Sequence, residues 1–264
     1  ICIVAWNFSQ SKLATCDEIG TIYVWVPYEE RWSVELVNER GSKVRDFCWS
    51  PNGNSALICY EDNFILIGSA TGQRIWHRTF EQTILCGAWS PESKQVVLGS
   101  GDGTIHLLTD SGTEIQEYNI WPGNPVQRLA WSCARSSDWK STLVVGFPNG
   151  ILHFMQSCDD ADPLVQNTKL QVVSLQWSLN GEYLAVAGVQ GDSTEPISGS
   201  VTTPVSTILV FNGSGKQVYV CDIPNASKAI TAFTWAHDDQ CIVAATGGDI
   251  YVGRVTTKVF FLII

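Results

Sequence analysis

The segment DFCWSPNGNSALICYEDNFILIGSATGQRIW, at residues 46–76, contains one complete unit of a pattern that recurs along the chain. An alternating apolar stretch ends at Trp49, and a Pro-Asn-Gly turn follows at residues 51–53. Two further strand-like stretches, ALICY and FILIG, are separated by a polar Glu-Asp-Asn turn. Alternating stretches between short turns rich in Asp, Asn and Gly are typical of β-strands connected by hairpins.

A Trp that ends such an apolar stretch recurs six times, and four of the five separations lie between about 40 and 46 residues, the length of a four-stranded propeller blade. Each Trp is followed by a turn, an apolar strand, a tight turn and an alternating strand, with no helical periodicity in between. The repeat Trp residues are Trp6, Trp49, Trp89, Trp131, Trp177 and Trp235. We interpret them as structural side chains that fill the gaps between adjacent blades.

This repeat predicts an all-β fold, a WD-repeat β-propeller with six recognisable blades. A β-sandwich would carry similar alternating strands, but it would not keep a Trp at this period. The chain begins on a core-strand pattern with no strand before it. We therefore expect a seven-bladed propeller that lacks its first blade, although six blades could also close.

Residues 1–264 are expected to form a single propeller domain with one insertion. The separation from Trp177 to Trp235 exceeds the others because the stretch VQGDSTEPISGSVTTPVS interrupts the fifth repeat. Its Gly, Ser, Thr and Pro content is typical of a loop. We predict a mobile inserted loop at about 190–206, which limited proteolysis should cut before the rest of the chain.

The composition excludes several classes of partner. The net charge is −10 and the pI is about 4.8, whereas a protein that grips nucleic acid usually carries a basic stripe. The longest apolar run is too short to span a bilayer, so we expect no membrane insertion. The nine Cys include no C-x-x-C pair and fall mostly inside apolar strands, which is typical of reduced thiols in a cytoplasmic protein.

A search for chemistry finds no catalytic residues, no cofactor-binding residues and no metal ligands. The four His residues are isolated from one another along the chain, and no pair has metal-ligand spacing. His106 and His153 occupy matching places in third strands, so a repeat position explains them better than a metal does. His237 is expected at a blade turn. The sequence therefore predicts a protein that is not an enzyme and needs no cofactor.

Five further Trp residues fall outside the repeat, at positions 25, 32, 76, 121 and 139. They could cap outer strands or fill gaps, and any that are exposed would suit a binding surface. Arg31 beside Trp32 is the pair we select as possible partner-binding residues, because Arg and Trp are enriched in interface hot spots. An ordinary position on an outer fourth strand is the alternative for both.

The segments KLATCDEIGTIYVW and YEERWSVELVNERG, together with residues 46–76, resemble the WD-repeat half of the tubby-like protein 4 family. They are also similar to the first propeller of a WD-repeat subunit of intraflagellar transport complex A. The stretch RWSVELVNERG at residues 31–41 is closer to the tubby-like family, and LAVAG followed by a long insertion is shared by both. The resemblance covers essentially the whole chain, and in both families a further blade precedes the region that matches Ile1.

The resemblance implies a scaffold that binds other proteins. Under the first hypothesis the chain is similar to the substrate-recognition propeller of a cullin-RING ubiquitin ligase receptor and binds a ligase target. Under the alternative it is a structural subunit of intraflagellar transport complex A in retrograde ciliary transport, and it packs against other subunits. An enzyme is a third hypothesis, for which no catalytic constellation is present. We expect a cytoplasmic location, or the cilium under the alternative.

Overall fold

The strand pattern of the sequence is present throughout the structure. The computed structural model describes residues 1–132, 141–190, 205–223, 228–236, 239–255 and 259–263. Within these residues there are 24 β-strands and no α-helix. Most of the predicted loop at about 190–206, together with Trp139 and His237, lies outside the described residues.

The strands form six four-stranded antiparallel sheets, each made of consecutive strands. Blade 1 consists of β1 (Ile3–Asn7), β2 (Lys12–Cys16), β3 (Ile22–Tyr28) and β4 (Arg31–Asn38). Blade 2 consists of β5 (Val44–Trp49), β6 (Ser55–Tyr60), β7 (Phe64–Ser69) and β8 (Arg74–Thr79). Blade 3 consists of β9 (Ile84–Trp89), β10 (Gln95–Ser100), β11 (Thr104–Thr109) and β12 (Glu114–Asn119).

The other three sheets repeat this order. Blade 4 consists of β13 (Arg128–Trp131), β14 (Leu143–Gly146), β15 (Ile151–Met155) and β16 (Leu164–Asn167). Blade 5 consists of β17 (Leu170–Trp177), β18 (Tyr183–Gln190), β19 (Ser206–Asn212) and β20 (Gln217–Asp222). Blade 6 consists of β21 (Ala232–Trp235), β22 (Cys241–Thr246), β23 (Asp249–Arg254) and β24 (Val259–Ile263). The prediction of an all-β, six-bladed propeller fold is thus confirmed, while the missing first blade stays a prediction.

Burial differs among the strands of a blade. The second strand is covered on both faces, and in β10 five of six residues are buried. The fourth strand is mostly exposed, as in β8 and β12, and its sequence is correspondingly polar. A strand covered on both faces favours continuous Val, Ile and Leu, because no position along it contacts water.

The chain divides into two compact units, residues 1–131 and 132–264. In the first unit, one apolar cluster joins blades 1 and 2, and another joins blades 2 and 3. In the second unit, a cluster joins blades 5 and 6. Most residues of each cluster come from the second and third strands of adjacent blades, and each cluster also includes a first-strand aromatic residue, namely Phe47, Trp89 or Trp235. The prediction of a single domain over residues 1–264 stays a prediction.

A hydrogen bond from the repeat Trp links adjacent blades. The indole Nε1 donates to the backbone carbonyl of the residue just before the Trp of the preceding blade. The pairs are Trp49 with Ala5 (3.2 Å), Trp89 with Cys48 (3.3 Å) and Trp235 with Gln176 (3.0 Å). The repeated Trp therefore provides both apolar filling and a directional link between neighbouring sheets.

The other repeat Trp residues lie in different surroundings. Trp177 is buried, and Trp131 is half-buried with an Nε1 that has no hydrogen-bond partner. Trp6, in the first strand of blade 1, is 38% exposed. Trp6 is thus the repeat Trp whose ring is most accessible to solvent.

Candidate interaction surface

The hairpin that connects β3 and β4 positions both residues selected from the sequence. Tyr28 and Arg31 are opposite each other at its end, and Pro27 is opposite Trp32. The two turn residues, Glu29 and Glu30, have φ angles of 44° and 62°. Two consecutive left-handed residues match the right-handed twist of the strands that they join, as in a two-residue hairpin turn.

Trp32 on β4 contacts Trp6 on β1, the first strand of the same sheet. Their ring centroids are 5.5 Å apart with an interplanar angle of 77°, and Phe8 contacts Trp6 at 6.3 Å and 72°. Both are edge-to-face arrangements, which aromatic rings prefer. Trp32 is 48% exposed and Phe8 is 58% exposed. We call Trp6, Phe8 and Trp32 the aromatic patch.

Further apolar side chains of the same sheet are exposed to solvent. Val4 is exposed on β1, Val34 and Val37 are exposed on β4, and Tyr28 is exposed beside the hairpin turn. Large aromatic side chains at a surface are good anchors for a partner, because each buries a large area while ordering few rotatable bonds. The patch is therefore a candidate for contact with another protein.

The structure places the sequence-selected residues on one strand and adds others to them. Arg31 and Trp32 both lie exposed on β4, and Trp32 is joined to the repeat residue Trp6. Phe8 was missed by the sequence analysis. Its signal is an aromatic residue two positions after Trp6 in WNF, where the other repeats have Pro, Pro, Cys, Leu and His.

The other non-repeat Trp residues serve the blades themselves. Trp25 is half-buried and its Nε1 donates to Thr15 Oγ1 at 2.9 Å. The ring of Trp76 packs so closely on Gly112 that a Cβ there would lie 2.5 Å from it. Trp121 is half-buried. These three therefore offer less surface to a partner than Trp32 does.

A cavity between blades 1 and 2 has a volume of about 110 Å³. Pockets that hold small molecules typically measure about 300–1,000 Å³. Its lining is largely apolar, with Ile22, Val24, Phe47 and Leu66 among its residues. The volume of this gap is below that range.

Burial shifts the protonation of several groups in the blade cores. It raises the pKa of the Cys16 thiol to about 12 and that of Cys158 to about 11. Burial also raises the pKa of Asp46, although this carboxylate accepts hydrogen bonds from the backbone N–H of Gly87 (2.9 Å) and of Phe47 (3.0 Å). Thiols with raised pKa values are poor nucleophiles, so these cysteines are structural.

One group of three side chains brings metal-ligating atoms together among the described residues. His106, Glu114 and Glu117 each offer a ligand atom, and these atoms lie within 4.8 Å of one another. The sequence predicts no metal ligands, because these residues are separated along the chain by a turn and lack a recognised spacing.

No helix in the described residues has the length and apolarity needed to cross a bilayer.

Comparison with known proteins places the fold in a family. The model of the WDR35/TULP4 N-terminal β-propeller matches residues 1–256. The chain belongs to this family. The resemblance inferred from the sequence is therefore confirmed for both of its branches.

Relatives of both branches align with almost the whole chain. Tubby-related protein 4 of mouse and of human is 33% identical over 98% of the chain, and WD repeat-containing protein 35 of rat is 28% identical over 96%. The chain covers only 19% of the former and 22% of the latter, so it spans about a fifth of the length of these relatives.

A solved structure confirms the fold alone. A chain in the crystal structure of the mitotic checkpoint complex superposes with a TM-score of 0.74 at 16% identity, and the match covers 100% of this chain and 79% of that one. In this WDR35/TULP4-type propeller, the aromatic patch lies on blade 1 and includes part of the stretch at residues 31–41.

Proposed function

We propose that the chain is a non-catalytic protein-binding scaffold and that a partner contacts it through the aromatic patch. The observation that carries this proposal is the edge-to-face cluster of Trp6, Phe8 and Trp32, which remains 38–58% exposed. A Trp at the centre of an interface contributes about 2 kcal/mol or more to binding. Rings already held against one another lose little conformational entropy when a partner covers them.

Charge favours one kind of partner. Glu29 and Glu30 lie at the hairpin beside the patch, and the whole chain carries a net charge of −10. A partner segment with an apolar anchor flanked by Lys or Arg would complement both features. The same acidity is unfavourable for nucleic acid, and neither nucleic acid nor membrane insertion is part of the proposal.

The more specific role is the substrate-recognition propeller of a tubby-like cullin-RING ubiquitin ligase receptor, with a ligase target as partner. Its support is the higher identity to tubby-related protein 4, together with the position of Trp32 inside the stretch at residues 31–41 that resembles the tubby-like family. The protein would then act in the cytoplasm.

The second candidate is a structural subunit of intraflagellar transport complex A, located in the cilium as well as the cytoplasm. Its support is the 28% identity to WD repeat-containing protein 35 over nearly the whole chain. Here the partners would be other subunits of the transport complex. Both candidates share the scaffold role and differ in the partner.

The test is affinity purification of the full-length native protein followed by mass spectrometry. Wild type is compared with Trp32→Ala and with Val165→Ala, which removes a similarly exposed apolar side chain from β16. Cullin adaptor subunits among the co-purified proteins would support the ligase role, and transport-complex subunits would support the ciliary role. One direct partner is then tested for binding with purified components. The patch proposal predicts that this partner binds Trp32→Ala at least tenfold more weakly than wild type, and that it binds Val165→Ala as tightly as wild type. Equal affinity for all three forms would overturn it.

A further inference from the structure

We propose that His106, Glu114 and Glu117 form a binding site for a divalent transition-metal ion, with Zn²⁺ as the best-matched ion. The three residues lie on β11 and β12 of blade 3. The site is separate from the aromatic patch on blade 1 and does not depend on the proposed function. It departs from the sequence prediction of no metal ligands.

A β-bulge brings the two carboxylates to the same face. Glu114 and Glu117 are three residues apart, so in a regular strand they would point to opposite faces. Glu117 is opposite His106 and Glu114 is opposite Leu108, and the register shift between them leaves Ile115 as an extra residue. An extra residue reverses the alternation beyond it, and this directs Glu114 back to the side of His106.

The distances match the edge of a tetrahedral coordination sphere. His106 Nδ1 lies 3.1 Å from Glu117 Oε1 and 3.6 Å from Glu114 Oε1. Ligands placed about 2.0–2.1 Å from Zn²⁺ in tetrahedral geometry are separated by about 3.3 Å. Both nitrogen–oxygen distances are therefore close to the separation between ligands of one ion, and all three atoms lie within 4.8 Å of one another.

The buried imidazole of His106 lacks the hydrogen-bond partners that buried polar atoms normally have. The His106 side chain is only 1% exposed, and both of its nitrogens are buried without a hydrogen-bond partner. The 3.1 Å approach of Nδ1 to Glu117 is thus too poorly aligned to be a hydrogen bond. A buried polar atom normally has a partner. An ion between Nδ1 and the two carboxylates would be that partner for Nδ1.

The surrounding charges suit a divalent cation. Glu114 uses its other oxygen, Oε2, to accept a hydrogen bond from Arg78 at 2.6 Å, and this contact fixes the carboxylate in place. Arg78 in turn lies over the Phe80 ring at 4.6 Å. A metal-ligating carboxylate is commonly held by such an outer contact. The two carboxylates supply two negative charges, of which Arg78 offsets one, so the group still favours a cation, and Glu117, 52% exposed, leaves a fourth position open to water.

The propeller fold does not require these polar residues. The same bulge occurs in blades 1, 2 and 5, between Val24 and Trp25, between Ile67 and Gly68 and between Val210 and Phe211. The residues that correspond to His106, Glu114 and Glu117 are Tyr23, Val34 and Val37 in blade 1, Leu66, Arg74 and His77 in blade 2, and Leu209, Gln217 and Val220 in blade 5. His153 in blade 4 is opposite Val165. A repeat position alone therefore does not account for a His with two Glu in blade 3.

The test uses metal-stripped full chain carrying Cys2→Ser, because Cys2 is an exposed thiol that could bind zinc by itself. Isothermal titration with Zn²⁺ is expected to show one ion per chain. Glu117→Gln and Glu114→Gln are each expected to weaken binding at least about tenfold. Glu182→Gln, which changes an exposed Glu in the turn between β17 and β18 of blade 5, is the matched control and should bind like the parent.

Co²⁺ provides a second readout that identifies the ligands. Nitrogen and oxygen ligands in a tetrahedral site are expected to give visible d–d absorption without the near-ultraviolet charge-transfer band of a thiolate. Absence of stoichiometric binding would overturn the proposal, as would equal affinity of Glu117→Gln and Glu182→Gln. A thiolate band would also overturn it, because the ion would then be held by cysteine.

Discussion

The indole nitrogen of Trp89 donates a hydrogen bond to the backbone carbonyl of Cys48, 3.3 Å away in the preceding blade. Trp49 stands in the same relation to Ala5, and Trp235 to Gln176. A single side chain thus spans the gap between two sheets and ends on a fixed backbone atom. Where this hydrogen bond forms, the repeat Trp has a structural role beyond filling apolar space between the blades.

Replacement of Trp89 by Phe tests this link. Phe keeps an aromatic ring in the core but removes the donor, which leaves the Cys48 carbonyl without this partner. We expect the free energy of unfolding to fall by about 1–3 kcal/mol, measured by urea denaturation. Trp32→Phe is the control, because Trp32 is half exposed and should change stability by less than about 0.5 kcal/mol. Equal effects of the two variants would contradict the structural role of the indole N–H.

Substitutions at Gly20 and Gly41 distinguish the stability cost of backbone strain from that of steric overlap. Both have positive φ, 89° and 76°, but a Cβ on Gly20 would lie 1.9 Å from the Ser42 carbonyl oxygen, whereas a Cβ on Gly41 meets nothing within 4 Å. We expect Gly41→Ala to cost about 1–2 kcal/mol from backbone strain alone. Gly20→Ala should cost about 2–5 kcal/mol because overlap adds to the strain. Thermal or urea unfolding of both variants measures the difference, and similar losses would mean that the turn at Gly20 relaxes freely.

The sequence predicts the blades well because strand period, turn chemistry and Trp spacing are all local signals. ALICY and FILIG, for instance, correspond to parts of β6 and β7. The contact of Trp6 with Trp32 was not predictable, since it joins residues from the first and fourth strands of one sheet. The group around His106 was missed for a different reason. Only the bulge at Ile115 places Glu114 and Glu117 on one face, and no sequence period shows it.

The raised pKa of the Asp46 carboxyl group makes the free energy of unfolding depend on pH. Burial raises its pKa in the folded chain, so the folded state holds this proton more tightly than the unfolded state does. Its contribution to stability is fully present below the unfolded pKa of about 3.9 and is lost as pH rises through the raised folded pKa. Across that window, we expect the stability of wild type to fall relative to that of Asp46→Asn, as measured by urea unfolding at a series of pH values.

Asp46→Ala is the companion variant, because it removes the acceptor altogether. The backbone N–H of Gly87 would lose its 2.9 Å partner, and we expect a loss of about 1–3 kcal/mol relative to Asp46→Asn. A pH profile of Asp46→Asn parallel to that of wild type would show that the carboxyl has the same pKa in both states. Equal stability of the Asn and Ala variants would show that the hydrogen bond to Gly87 contributes nothing.

Cysteine alkylation reports whether the blades stay packed in solution. Cys2 is exposed, whereas Cys16, Cys59 and Cys86 are buried, and burial raises the pKa of all three buried thiols. Since the thiolate is the reactive form, we expect iodoacetamide to modify Cys2 first in the native chain. The buried three should react only after urea unfolds the chain, with mass spectrometry of peptides as the measurement.

The relative labelling rates of the three buried cysteines show whether the blades open together or separately. Cys16 lies in the second strand of blade 1, Cys59 lies in the apolar cluster that joins blades 2 and 3, and Cys86 lies in the first strand of blade 3 with its thiol 3.4 Å from the Val126 carbonyl oxygen. Labelling of all three at one common rate below the unfolding midpoint would indicate that the blades open together. Faster labelling of Cys16 would indicate that blade 1 opens independently of blades 2 and 3. Native modification of Cys59 as fast as that of Cys2 would contradict the burial of Cys59.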